Sequence, residues 1–240
     1  MSGFVMKGAL VELMPTFLPV PVPNVIIFQY NPETMTHTWA QPQPASSGGT
    51  EQSNPLAVKG MPGETFSFTI AVDSNDDIAD QTLMAPVAQV SGVYSRLAAL
   101  EMLLYPTGTT SAVASLVGTV SSAIGNALGG SPSAPSTSVP ESVMPVTLFV
   151  WGAGRIVPVR VTGLSITEKL YDSALNPTHA EARLDLRVLT PDELTAASSD
   201  NQVLGNLATV AYTYTLTLRE ALAVANLGNA AQSVIGMLPH

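Results

Sequence analysis

The stretch from Pro145 to Leu189 constrains this chain most, because its apolar residues keep the period of a β-strand through three successive runs. In the third run Ala180, Ala182, Leu184, Leu186 and Val188 alternate with Glu181, Arg183, Asp185 and Arg187, so one face is apolar and the other charged. The middle run, Arg155 to Tyr171, sets Val157, Val159 and Val161 on one face and then slips to Leu164 and Ile166. A one-residue slip sends side chains to the wrong face unless an inserted residue restores it, which predicts a β-bulge at Gly163. The first run, Pro145 to Trp151, is short and apolar and stops at Gly152-Ala-Gly154. These patterns predict three consecutive sheet strands.

Elsewhere the same period recurs. Residues 7–13 and 24–30 read as a strand pair across a proline-studded connection, and Thr34 to Trp39 alternates with Met35, His37 and Trp39 on one face. Residues 41–63 form a Pro/Ser/Gly-rich loop. Thr65 to Val72 is the clearest strand and buries Phe66, Phe68, Ile70 and Val72, while Asp73 to Asp77 ends it with turn chemistry suited to capping the next element. Between residues 86 and 104 the period changes: Val87, Val90, Tyr94, Leu97, Leu100 and Leu104 predict one helix, stopped by Pro106 and Gly108.

Residues 106–142 read as an insertion. Gly108 to Gly130 carries no charge and has Val113, Val117, Val120, Ile124 and Leu128 at a loose helical period, and a Ser/Pro linker follows. Its Ser, Thr and Gly content argues against a membrane span. Thr190-Pro-Asp-Glu193 reads as a capped helix start. In the tail Val210, Tyr212, Tyr214, Leu216 and Leu218 fit a strand, whereas Leu207, Ala211, Tyr214, Leu218, Ala221, Leu222 and Ala225 fit a helix; the Ala-rich continuation favours the helix.

Charged residues make up only 11% of the 240 residues, against about 25% in ordinary soluble domains. A polar but nearly uncharged surface is one that other molecules can cover without stranding buried charges. The net charge of −9, with Lys and Arg scattered and none between Leu97 and Gly154, argues against nucleic-acid binding. Cysteine is absent, which excludes a disulfide framework and thiolate metal sites. Glu12 inside the first apolar stretch, followed by closely spaced prolines, does not fit a signal peptide and points to cytoplasmic synthesis and assembly.

No catalytic constellation emerges. His37, His179 and His240 are far apart in sequence, with His179 expected in a turn, and none has a metal-ligand neighbour at helical spacing. Asp73, Asp76, Asp77 and Asp80 lack the spacing of a calcium loop and suit a turn and helix start. Ser165 lies inside a strand without the second glycine of a nucleophile elbow. Tyr30, Trp39 and Trp151 read as packing residues. The expectation is therefore a non-enzyme without catalytic, cofactor-binding or metal residues and without a cofactor.

Two segments, taken together, resemble a known family. Asn24-Val-Ile-Ile-Phe-Gln-Tyr-Asn-Pro-Glu33 is a strand running into Asn-Pro-Glu, and far downstream Val146 to Gly152 is an apolar strand ending in Trp-Gly. With Thr167-Glu-Lys-Leu-Tyr-Asp172 and Ala180 to Leu189 as paired final strands, the order is similar to the tube-type domain of contractile injection systems. These are phage-tail-like particles with an inner tube, a sheath and a baseplate. The resemblance covers roughly residues 5–195. It departs from the family at Leu175-Asn176-Pro177-Thr178, where members usually carry Gly-Pro, and no LysM module follows Thr195.

The resemblance implies a mainly β, α+β fold: a tail-tube-like antiparallel barrel or sandwich flanked by a helix, over residues 1–195, with a helical extension at 196–240. It also implies a structural subunit forming a ring, hexameric in the family, at the junction of baseplate and inner tube. The expected partners are further copies of the chain and other tube, baseplate, hub or sheath proteins, with no nucleic acid and no direct membrane binding. The charged row Glu181, Arg183, Asp185 and Arg187 and the Asn31-Pro32 turn are the candidate assembly interface. Alternatives are an inner-tube subunit proper and, from another class, a membrane-active or cargo protein using Gly108–Gly130.

Overall fold

The computed structural model describes residues 6–14, 22–42, 56–58, 60–79, 85–105, 144, 146–197 and 202–237 of the chain. Its strands are β1 (Ala9–Met14), β2 (Val22–Ile27), β3 (Met35–Ala40), β4 (Gly63–Asp73), β5 (Val146–Val150), β6 (Ile156–Tyr171) and β7 (Pro177–Val188). They form one antiparallel sheet in the order β2-β1-β5-β6-β7-β4-β3. The expected mainly β fold with helices is what the chain adopts, but the sheet is not closed: β2 and β3 remain at its two edges.

The sheet is nonetheless bent over on itself. Strands β4 and β5 lie three strand spacings apart, about 14 Å in a flat sheet. Yet Phe149 on β5 packs on Phe66 and Phe68 of β4 with ring centroids 5.3 and 5.4 Å apart. The alternating residues of β4 and β7 thus meet those of β5 and β6 in a single core, as Phe66, Phe68, Ile70, Ala182, Leu184 and Leu186 are all buried. Each such buried large apolar side chain contributes about 1.5–3 kcal/mol. The bulge falls where the slip predicts it, between Val161 and Gly163. Thr162, the inserted residue, donates its hydroxyl to the Asp185 carbonyl at 3.0 Å.

Residues 28–34 carry the chain from one sheet edge to the other. Phe28 turns inward against Phe68 and Trp151. The Gln29 side chain pairs with the Asp73 backbone in both directions, at 2.8 and 2.9 Å, as a neighbouring strand would. Packing is tight here: a Cβ on Gly8 would sit 2.6 Å from the Trp151 ring.

Five helices flank the sheet among the described residues: α1 (Ser74–Ala79), α2 (Ala85–Ser91), α3 (Tyr94–Met102), α4 (Pro191–Ala197) and α5 (Gln202–Met237). Asp73 starts α1 by accepting the Asn75 N–H at 2.8 Å, the helix-start role expected of it. The helix expected over 86–104 is broken into two. Gly92 adopts φ +56°, and Val93 donates its N–H to the Pro177 carbonyl at 2.9 Å. A Cβ at Gly92 would lie 2.2 Å from that carbonyl, so only glycine fits. The break changes the helical phase: Val93, Leu97, Leu100 and Leu103 are buried, whereas Val90, expected inward, is 77% exposed and Tyr94 is exposed. His179 likewise lies in β7 rather than in a turn, with Nδ1 3.2 Å from Asp73.

The Thr190 capping box forms as expected, with Glu193 Oε2 accepting from the Thr190 N–H at 2.9 Å and from its hydroxyl at 3.1 Å. Burial pushes the Glu193 carboxyl up, but these bonds and Arg187 outweigh it and hold it below its ordinary value. The helical reading of the tail holds over Gln202–Met237. Expectations for residues 106–142, for His240 and for most of the 41–63 loop lie outside the described residues.

Candidate assembly surfaces

The charged row on β7 points away from the core. Its strand is central, between β6 and β4, so the row crosses the middle of the sheet's outer face rather than its edge. In register beside it stand Thr65, Ser67 and Thr69 on β4 and Ser165 and Thr167 on β6, and beyond β4 come Thr36 and Thr38 on β3. The result is a broad carpet of hydroxyls crossed by one line of charge, with exposed Arg160 of β6 in register beside Arg187. Each charge of the β7 row has a partner within the chain: Glu181 takes Lys169, Arg187 takes Glu193, and Arg183 Nε lies 3.8 Å from Asp185. Lys169 holds the Glu181 carboxyl below its ordinary value.

Asn31 has an internal task. Its Oδ1 accepts the Gly8 N–H at 2.8 Å and its Nδ2 donates to the Met6 carbonyl at 2.8 Å, which pins the chain leading into β1. Pro32, next to it, is half-buried. The structure therefore does not bring the Asn31-Pro32 turn and the β7 row together through any hydrogen bond or ion pair.

A cluster that the sequence pattern did not single out closes the mouth of the folded sheet. Glu64 continues the inward alternation of Phe66 and Phe68 and is only 3% exposed. Arg219 of α5 holds it with both terminal guanidinium nitrogens, at 2.9 and 2.6 Å, and His37 Nε2 lies 2.8 Å from the same carboxylate. Arg219 also covers the Trp39 ring at 4.8 Å, while Arg155 sits over Phe66 at 5.1 Å. Burial lowers the pKa of His37, Glu64 opposes that, and Arg155 and Arg219 add to it. Burial and Arg219 lower Arg155 too. The net lowering shows that burial outweighs the stabilisation Glu64 offers an imidazolium. Glu64 was legible as the next inward position before Phe66; Arg219 carried no sequence signal.

The same region clamps the first half of α5. Thr215 donates its hydroxyl to the Ile156 carbonyl at 2.7 Å and accepts the Ile156 N–H at 3.1 Å, while Tyr214 donates to the Ala153 carbonyl at 3.0 Å. Ala208 and Ala211 are buried with Leu13, Leu148 and Leu194 on the outer side of β1 and β5. From Ala221 to Leu227 every residue is exposed, so the helix runs on past the domain.

At the sheet edge, β2 exposes Val25 and Ile27 on the side away from the core. Among the described residues no group of His, Asp and Glu is placed to hold a metal ion, and no helix is long and apolar enough to cross a membrane. No protein-family profile matches the chain, and no curated protein matches it in sequence.

Proposed function

We propose that this chain is a structural subunit of a phage-tail-like contractile injection system, forming a ring at the junction of the baseplate and the inner tube. The observation that carries this reading is the open, bent sheet, which among the described residues ends in the edge strands β2 and β3. A sheet edge offers unpaired N–H and C=O groups and is ordinarily blunted by charge or proline. Edge strand β2 carries one such proline, Pro23, and beyond it exposes Val25 and Ile27. Repeated edge-to-edge addition between copies satisfies both edges only when the ring closes. The hydroxyls that flank the charged row on the outer face support the same reading, because they can lie against other rings without burying charge.

Electron microscopy of the purified chain, alone and co-produced with its genetic neighbours, tests this directly. Val25→Lys with Ile27→Lys is expected to leave the circular dichroism spectrum unchanged and abolish rings. Rings that persist in the double variant remove β2 from the interface, and a chain that never forms rings or joins a particle removes the function.

A further inference from the structure

Two guanidinium groups stand at the mouth of the folded sheet against one carboxylate. Arg219 reaches it from α5. Arg155 reaches it from the turn between β5 and β6, where its carbonyl accepts the Trp151 N–H at 2.8 Å. Glu64 is already engaged, because Arg219 binds both its oxygens and His37 lies against Oε1. Arg155 has the Phe66 ring beside it, and among the described residues no carboxylate lies within ion-pair distance of it. Its side chain is nonetheless half-buried. Burial, and then Arg219, lower its pKa against the opposing pull of Glu64. A guanidinium held this way has given up part of its hydration without an anion in return.

The surroundings define the anion that fits. With His37 neutral, two guanidinium groups and one carboxylate leave a single positive charge at the mouth of a chain whose net charge is −9. One positive charge matches a monoanion. A phosphoryl group carries about 1.5–2 negative charges and is repelled more strongly by the rest of the chain. The planar fork of an arginine pairs with a carboxylate through two parallel N–H bonds. Beside Arg155 runs an aromatic row, with Phe66 and His37 centroids 4.3 Å apart and His37 and Trp39 5.0 Å apart. Trp39, at its end, is 48% exposed.

We propose that Arg155 anchors a binding site for a carboxylate carried on an apolar body, which lies against the aromatic row. The site does not rest on the ring reading. Small organic acids and the acidic side chains of another protein share this chemistry. Binding is linked to His37, which faces Arg155 from the turn, Glu64 from β4, and Arg219 and Tyr212 from α5. The Tyr212 hydroxyl stays neutral, since burial and then Glu64 raise its pKa. The imidazole pKa is lowered chiefly by burial, and a bound anion favours its charged form and raises it. By linkage, the carboxylate then binds more tightly as pH falls through about 6.5.

In the full chain, benzoate followed by titration calorimetry is expected to bind saturably, more tightly at pH 5.5 than at pH 7.5, and more tightly than inorganic phosphate. Nuclear magnetic resonance of the His37 ring is expected to show its pKa rising with benzoate. Arg155→Gln is expected to melt near the parent, to bind benzoate about tenfold more weakly or worse, and to lose the His37 response. Arg155→Lys keeps the charge without the fork and is expected to fall between the two. A blocked peptide alternating Glu and Phe distinguishes the sources: if it binds more tightly than benzoate the natural ligand is a protein segment, and if more weakly, a small acid. No saturable binding of either probe, affinity that does not change with pH, or phosphate bound as tightly as benzoate each overturns the proposal. Parent-like binding by Arg155→Gln, or by Arg155→Lys where the Gln variant fails to fold, also overturns it. So does benzoate binding that appears only in Glu51→Gln, because the chain's own carboxylate then fills the site.

Discussion

Phe68 and Glu64 occupy the same inward face of β4, and their contrast sets the residue-scale expectations. Phe68 is buried between Phe28 and Phe149. Phe68→Asp places a carboxylate there without a cation, which costs several kcal/mol, and the variant is expected to be insoluble or to show no cooperative melt. Glu64 is buried with its cations supplied. Glu64→Gln leaves Arg219 and Arg155 without their carboxylate, and the partly exposed guanidinium of Arg219 softens the loss to about 2–3 kcal/mol, measurable by urea titration. His37 adds a pH dependence. Its folded pKa lies below the ordinary value of 6.5, so between those values the unfolded chain binds the extra proton and the folded chain does not. Stability therefore rises with pH across that window. It is complete above about pH 6.5 and falls as pH drops below it, until the folded imidazole also protonates. His37→Gln is expected to flatten that slope in melting experiments between pH 7.5 and 5.5; an unchanged slope assigns the dependence elsewhere.

Among the elements, the β6–β7 hairpin is organised by a single carboxylate in its turn. Asp172 organises its turn by accepting N–H bonds from Ala174 at 2.8 Å and Asn176 at 2.9 Å and a side-chain bond from Asn176 at 2.9 Å. The Asn176 bonds hold its carboxyl below the ordinary value. Leu175, inside this turn, has φ +65°, a conformation that costs a branched residue roughly 1–2 kcal/mol. Its side chain is exposed and recovers little. Glycine removes that strain but takes back about 0.5–1 kcal/mol through its freer unfolded chain. Leu175→Gly is thus expected to stabilise the protein by about 0.5–1 kcal/mol, a rise of roughly 1–4 °C in Tm. A fall in Tm would show that the Leu175 side chain makes a contact worth more than the strain.

For the whole molecule, α5 divides at Arg219. Before it the helix belongs to the core through Ala208, Ala211, Thr215 and the Glu64 pair; beyond it, through Leu227, every residue is exposed. A chain ending at Glu220 is therefore expected to melt within about 0.5 kcal/mol of the parent in dilute solution, because exposed positions contribute little. A chain ending at Thr213 loses Thr215 and Arg219 and is expected to melt well below both. If the longer truncation and the Glu220 chain melt alike, the clamp does not hold the domain together.

Alternation alone determined much of the fold, because the direction of a side chain along a strand is a local matter with a period of two. The inward faces of β4, β6 and β7 and the bulge at Gly163 were legible for that reason, as was the Thr190–Glu193 capping box, whose partners are three residues apart. Pairings between distant segments were not legible. The break at Gly92 depends on the carbonyl of Pro177, and Glu64 meets an arginine 155 residues away. The charged row on β7 alternated as expected, yet whether it bordered an edge or crossed the middle of a face depended on strand order. Both faces of α5 are apolar enough to pack. Tertiary structure alone chose the one bearing Ala208 and Ala211, since small residues let the helix approach the sheet closely, and so left Val210, Tyr214 and Val224 facing outward.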